Sequence, residues 1–197
     1  MKMPEMAPKT AMILAAGLGK RMRPITETIP KPLVKVAGKP LIDWGLDAAV
    51  QAGIGTAVVN VHYLADQLEE HLRRRNDLEI VISDERKELL DSAGGVVKAL
   101  PILGAEPFFI LNADTFWVGD EKAPNLSALA EIWDADRMDI LLMTARLDQE
   151  TGQRGLGHDA LHGCGAGIIA RIRAAATRRA RAPACACSDH PQRDRLQ

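Results

Sequence analysis

The sequence predicts an α/β fold: a mostly parallel sheet covered by helices on both faces. Two observations carry that expectation. Five short apolar runs alternate along the chain with segments whose apolar residues recur at helical spacing. A Gly-rich turn directly follows the first of these runs, the usual exit of a buried strand toward a ligand. Regular strand–helix alternation puts helices on the sheet faces and ligands beyond the carboxyl ends of the strands.

In chain order, Thr10–Ala15 is the first buried strand. Leu41–Ala52 places Ile42, Leu46, Ala49 and Val50 on one helical face and closes at Gly53. Ala57–Val61 is the second strand. Leu64, Leu68 and Leu72 recur every four residues on a helix rich in Glu and Arg. Leu78–Ile82 is the third strand, and Ser92 is expected to cap a helix carrying Val96, Val97 and Leu100. Phe108–Leu111 is the fourth strand. Leu126, Leu129, Ala130 and Trp133 mark another helix, and Ile140–Met143 is the fifth strand. The strand ends that face a ligand then lie near Ala16–Arg23, His62-Tyr63, Asp84-Glu85 and Asn112–Thr115.

The chain has 197 residues, 47% of them hydrophobic, which excludes a disordered protein and allows one domain with a sizeable core. The net charge of −1 conceals a division. Residues 1–150 carry 17 basic and 23 acidic residues, with all 9 lysines and all 7 aromatics. Residues 151–197 carry 8 arginines, 3 acidic residues and all 3 cysteines. We therefore expect a nucleotide-binding core over 1–150 and an atypical basic tail over 151–197, poorly ordered or weakly helical at 168–182. Overall neutrality gives no electrostatic reason to expect nucleic acid, and no nucleic-acid partner is expected. Ala11–Gly19 is too short to span a membrane and runs into Lys20-Arg21 instead of a cleavage site, so no membrane partner and a cytoplasmic location are expected. Cys185-x-Cys187 with His190 matches no usual zinc spacing, and we read Cys164, Cys185 and Cys187 as incidental.

The segment richest in chemistry is Leu14-Ala-Ala-Gly-Leu-Gly-Lys-Arg-Met-Arg-Pro-Ile-Thr26. Glycines after a buried strand let backbone N–H groups approach an anion. Lys20, Arg21 and Arg23 add positive charge suited to phosphate. Two better-known loops are excluded. The dinucleotide fingerprint needs Gly at position 22, which is Met22, and the Walker loop needs Gly at 14 and Ser or Thr at 21, which are Leu14 and Arg21. Pro30-Lys31-Pro32-Leu33 follows, with prolines stiffening the chain on both sides of Lys31. Asp114, just past the fourth strand, is either a turn-capping residue or a Mg²⁺ ligand beside the phosphates.

These segments, with Val59–Tyr63, Ser83-Asp84-Glu85, Asp91–Leu100 and Leu111–Trp117, resemble the signature of sugar-1-phosphate nucleotidyltransferases. Over about residues 9–148 they are most similar to the N-acetylmuramate-1-phosphate uridylyltransferase branch and to mannose-1-phosphate guanylyltransferase-like members. The resemblance implies a Rossmann-like nucleotide-diphospho-sugar transferase fold. It implies condensation of a nucleoside triphosphate, UTP before GTP, with a sugar 1-phosphate, N-acetylmuramate 1-phosphate before mannose 1-phosphate. The products are a nucleotide sugar and pyrophosphate, as in peptidoglycan recycling, and Mg²⁺ is the cofactor.

It also implies roles. Ala15, Ala16 and Gly17 line the nucleotide, and Gly19 shapes the turn. Arg21 holds the β- and γ-phosphates, and Lys31 neutralises charge between the α-phosphate and the sugar phosphate. Gly94 and Gly95 let the base or ribose approach the backbone. Asp114 binds Mg²⁺, and Asn112 is either a nucleotide contact or a turn residue. Family members continue with a sugar pocket and a second Mg²⁺-binding aspartate, and no such motif is found in 149–197, where Asp159, Asp189 and Asp194 stand in no recognisable pattern. We expect a shifted reading frame near 148–158 to have replaced that half, leaving an impaired enzyme or a nucleotide-binding remnant without catalysis.

Overall fold

The computed structural model describes residues 7–116, 125–143 and 167–171. The strands are β1 (Thr10–Leu14), β2 (Lys35–Val36), β3 (Lys39–Pro40), β4 (Thr56–Val61), β5 (Glu79–Asp84), β6 (Phe108–Asn112), β7 (Ile140–Met143) and β8 (Gly167–Ala170). The helices are α1 (Leu41–Gln51), α2 (Ala65–Leu72), α3 (Ser92–Leu103) and α4 (Asn125–Ile132). The main sheet has the order β5-β4-β1-β6-β8-β7. β5, β4, β1 and β6 are parallel neighbours, while β8 runs antiparallel to both β6 and β7. The predicted mostly parallel sheet is present.

Alternation along β1 explains why helices cover both faces. Ala11 and Ile13 join a core with Ile42, Leu46 and Ala49 of α1, Leu68 and Leu72 of α2, and Leu126 and Leu129 of α4. Met12 points the other way, to Val58, Phe108 and Ala99 and Leu103 of α3. A central strand with both faces buried must be apolar throughout, which is why Ala11–Ile13 shows no period of two.

Three expectations need correction. The cap of α3 is Asp91, whose Oδ1 accepts from Gly94 N at 2.6 Å; Ser92 is the first helical residue. Lys35–Val36 and Lys39–Pro40 form an unexpected hairpin through Ala37 and Gly38, both at positive φ (51° and 80°). Asn-Gly is the usual signature of such a turn, and Ala-Gly does not announce it. Finally, the tail expected to be poorly ordered or weakly helical contributes a strand at Gly167–Ala170, where the helix expected from 168 does not form. Gly167–Ala170 is a strand inserted between β6 and β7, with Ile169 fully buried opposite Phe109 and Leu141. Its adjacent β-branched residues fill a two-sided slot, which favours a strand at these positions. The remainder of the expected basic helix, the three cysteines, His190, Asp159, Asp189, Asp194 and Trp117 lie outside the described residues. Among the described residues, no helix is long and apolar enough to cross a membrane.

Candidate active site

The carboxyl ends of β1, β4, β5 and β6 converge on one rim of the sheet, as predicted. β1 leads into Ala15, Ala16 and Gly17, and the chain then turns sharply at Gly19. Gly19 has φ 64°, a left-handed conformation that disfavours a side chain. A Cβ there would also lie 2.9 Å from Thr26 Cγ2 and 3.3 Å from Lys31 Cβ. Its carbonyl accepts from Met22 N at 2.9 Å and from the hydroxyl of buried Thr26 at 2.8 Å. Gly19 is therefore the point at which the loop folds back on the Lys31 segment. Lys31–Leu33 forms a single tight turn, anchored by buried Pro32 and by Leu33 N donating to Pro30 O at 2.8 Å.

Together these segments enclose a cleft of about 380 Å³ lined by Gly17, Gly19, Lys20, Arg21, Met22 and Lys31. Arg23, grouped with the other cations from the sequence, is not part of this lining. Among the described residues Lys20 and Arg21 make no ion pair. Their charges are thus available to an anion. Gly17 differs from Gly19: its φ is not positive, and a Cβ there would meet nothing within 4 Å. Nothing in the described chain requires glycine at this position, so what it provides is space in the cleft.

Asp114 follows β6 in a turn where Ala113 N donates to Leu14 O at 3.1 Å and Thr115 N to Asn112 O at 3.2 Å. Asn112 ends β6 opposite Leu14 and closes this turn through its carbonyl. Asp114 Oδ2 accepts from Lys31 Nζ, so the cation of the cleft and the carboxylate of β6 meet, although 83 residues separate them. Among the described residues no three His, Cys, Asp or Glu side chains cluster as a self-sufficient metal site. One partly exposed carboxylate beside a phosphate-sized cleft suits Mg²⁺, which takes one or two protein carboxylates and completes its shell with phosphate oxygens and water. It does not suit a structural zinc.

Ala15 and Ala16 are buried, and Ala15 N is already committed to Asn60 Oδ1 at 2.6 Å. Ala15 supports the loop; its N–H is not a free phosphate donor. Gly94 and Gly95 open α3, but the Cβ position of Gly95 points inward, 2.8 Å from Asn60 Nδ2 and 3.0 Å from Glu85 Oε1. Two residues without a role in the sequence reading, Asn60 and Glu85, therefore connect the loop to α3. A polar residue inside Val58-Val59-Asn60-Val61 was the available signal.

The nucleotidyl transferase family pattern matches residues 10–152. The chain is 50% identical over 155 residues to N-acetylmuramate alpha-1-phosphate uridylyltransferase of Caulobacter vibrioides, covering 77% of this chain and 64% of that protein. It is 43% identical over 109 residues to the mannose-1-phosphate guanylyltransferase catalytic subunit beta of Drosophila pseudoobscura pseudoobscura, covering 53% of this chain and 29% of that one. The chain thus spans less than two thirds of the length of these relatives. In fold it is similar to the inositol-1-phosphate CTP transferase from T. maritima, with a TM-score of 0.61 at 19% identity over 84% of this chain and 71% of that one.

Proposed function

This chain belongs to the nucleotidyl transferase family, and from that premise we propose that its cleft binds the triphosphate of UTP for transfer to a sugar 1-phosphate, N-acetylmuramate 1-phosphate in the first instance. The observation that carries the reading is the cleft itself: Lys20 and Arg21 without an ion pair among the described residues, space at Gly17, and Lys31 meeting Asp114 at the end of β6. The Caulobacter relative supports the choice of base and sugar.

In this reaction an oxygen of the sugar phosphate forms a bond to the α-phosphorus. The bond from that phosphorus to the bridging oxygen of the β-phosphate breaks, and pyrophosphate leaves with the electron pair. Such transfers depend mainly on positioning and charge neutralisation. Lys20 and Arg21 hold the phosphates that depart, so the charge accumulating there meets fixed cations. Lys31, stiffened by its prolines, lies between the two reacting phosphates. Asp114 is the residue that would hold Mg²⁺, which when bound supplies further neutralisation of phosphate oxygens.

Calorimetric titration with UTP, GTP and dTTP in the presence of Mg²⁺, followed by a pyrophosphate-release assay over a panel of sugar 1-phosphates, tests this. We expect UTP to bind most tightly. Preference for GTP, with release only from mannose 1-phosphate, would replace the reading with guanylyl transfer.

A second reading, nucleotide binding with little turnover, is favoured by the end of the family match at residue 152 and by the lysine-free, aromatic-free composition of 151–197. It expects tight UTP binding with pyrophosphate release lowered by orders of magnitude. Resequencing the coding region tests the shifted frame behind it: a clean frame, with no family sequence in the other frames, rejects the shift. Release at a rate typical of metabolic enzymes, about 1–10³ s⁻¹, rejects the second reading.

A further inference from the structure

We infer that Asn60 and Glu85 are positioning residues that hold the exit of β1 at a set distance from the start of α3, and so set the width of the nucleotide site. The inference rests on the nucleotidyltransferase reading above. Both side chains are buried, Asn60 at 3% and Glu85 at 1% exposure. They form a chain of hydrogen bonds that converges on the Glu85 carboxylate from two sides. Ala15 N donates to Asn60 Oδ1 at 2.6 Å, Asn60 Nδ2 donates to Glu85 Oε1 at 3.0 Å, and Leu90 N donates to Glu85 Oε2 at 3.2 Å. Glu85 is fixed by its backbone as well. Its N donates to Val61 O at 2.8 Å, and its carbonyl lies 2.7 Å from His62 Nδ1, which must be the protonated ring nitrogen. No cation pairs with Glu85 among the described residues. Gly95 lies directly against the pair, where any Cβ would strike both side chains.

Three segments therefore meet at this pair: the first residue of the loop, the first turn of α3, and the connection from β5 to α3. Apolar residues of the same size would fill the space without specifying a direction. A fully matched polar chain fixes which backbone group faces which, and an unmatched member is costly. The wild-type chain has three donors (Ala15 N–H, Asn60 amide, Leu90 N–H) for three oxygens. Glu85→Gln adds a donor and removes an acceptor, leaving four donors for two oxygens, so two donors have no partner. Asn60→Asp removes a donor and sets two carboxylates against each other. Combining the two restores three donors for three acceptors, because the amide at position 85 then donates to the carboxylate at position 60.

The test uses both single variants and the double variant of the full chain. Two measurements are made well below each melting temperature: hydrogen exchange at the Ala15 amide without ligand, and Mg²⁺-UTP affinity by calorimetry. Leaving one buried hydrogen-bonding group unmatched is worth about 10-fold or more in an equilibrium. We expect each single variant to exchange Ala15 at least about 10-fold faster and to bind UTP about 10-fold more weakly. The double variant should recover most of both losses. Should a single variant fail to fold, recovery in the double variant still decides the point. Unchanged exchange at Ala15, a double variant as defective as the worse single, or a lowered melting temperature with unchanged UTP affinity would overturn the inference. A wild-type chain that binds no nucleotide overturns instead the function proposed above, while exchange at Ala15 still reports whether the pair holds the loop.

Discussion

Among the described residues, the cations beside α1 and α2 and those of the cleft are arranged oppositely. On the α1–α2 side, Arg75 is 13% exposed and lies among Asp43, Asp47 and Asp77 at 3.3, 2.7 and 2.6 Å. His71 Nε2 contacts Asp43 at 3.0 Å, and Lys39 pairs with Asp47. Burial works against the charge of Arg75, but its hydrogen bonds to Asp77 and Asp47 outweigh that and raise it above the ordinary arginine value. In the cleft, by contrast, Lys20 and Arg21 have no acidic partner among the described residues, and Lys31 has only Asp114. The same residue types thus do different work. A cation surrounded by carboxylates joins elements together, whereas a cation left without them can meet an anion from outside.

The sharpest way to break this comparison is Arg21→Ala. If Arg21 faces the departing pyrophosphate, release should fall about 10²–10³-fold while the urea midpoint stays put, because no ion-pair partner among the described residues is lost. Gly19→Ala should do both kinds of damage. Left-handed φ and the contact with Thr26 should lower unfolding free energy by about 1–3 kcal/mol and weaken UTP binding with it. Arg75→Ala should have the converse effect to Arg21→Ala. Removing one cation from three carboxylates should cost about 1–3 kcal/mol in urea unfolding and leave UTP affinity unchanged. Gly17→Ala should keep the melting temperature and weaken UTP binding about 10-fold, as expected where only the ligand uses the space. The smallest effect concerns acid. The hydrogen bond from Arg75 holds the Asp77 carboxyl below its usual 3.8. A depressed carboxylate contributes stability above that value and loses it as pH falls through the folded-state value. Melting measured from pH 6 downward should show a shallow decline that Arg75→Ala reduces.

Much of this was legible locally. β7 was read with the bounds it has, and β1, β4, β5 and β6 within one or two residues, because buried parallel strands announce themselves as apolar runs. The loop cations, Gly17, Gly19 and Lys31 were legible as a compound motif, and the structure brings them to one cleft. What escaped depends on partners remote in sequence. Asn60 and Glu85 carry meaning only together, across 25 residues, with Ala15 another 45 away from Asn60. β8 has four residues and no pattern of its own; only the slot between β6 and β7 makes it a strand. Asp91 rather than Ser92 caps α3 because both residue types cap well and only the backbone chooses between them.

That slot has a consequence during synthesis. β6 carries Asn112 and leads to Asp114, yet Phe108 pairs with Ala170, 62 residues later in the chain. At about 5–20 residues per second, a ribosome leaves one edge of β6 waiting roughly 3–12 s for that partner. Through that interval the nascent chain presents an open strand edge, a template on which another polypeptide can pair. The side of the sheet that carries the candidate metal carboxylate is thus the last to be completed, and crowded polysomes or a stalled message would expose it for longest.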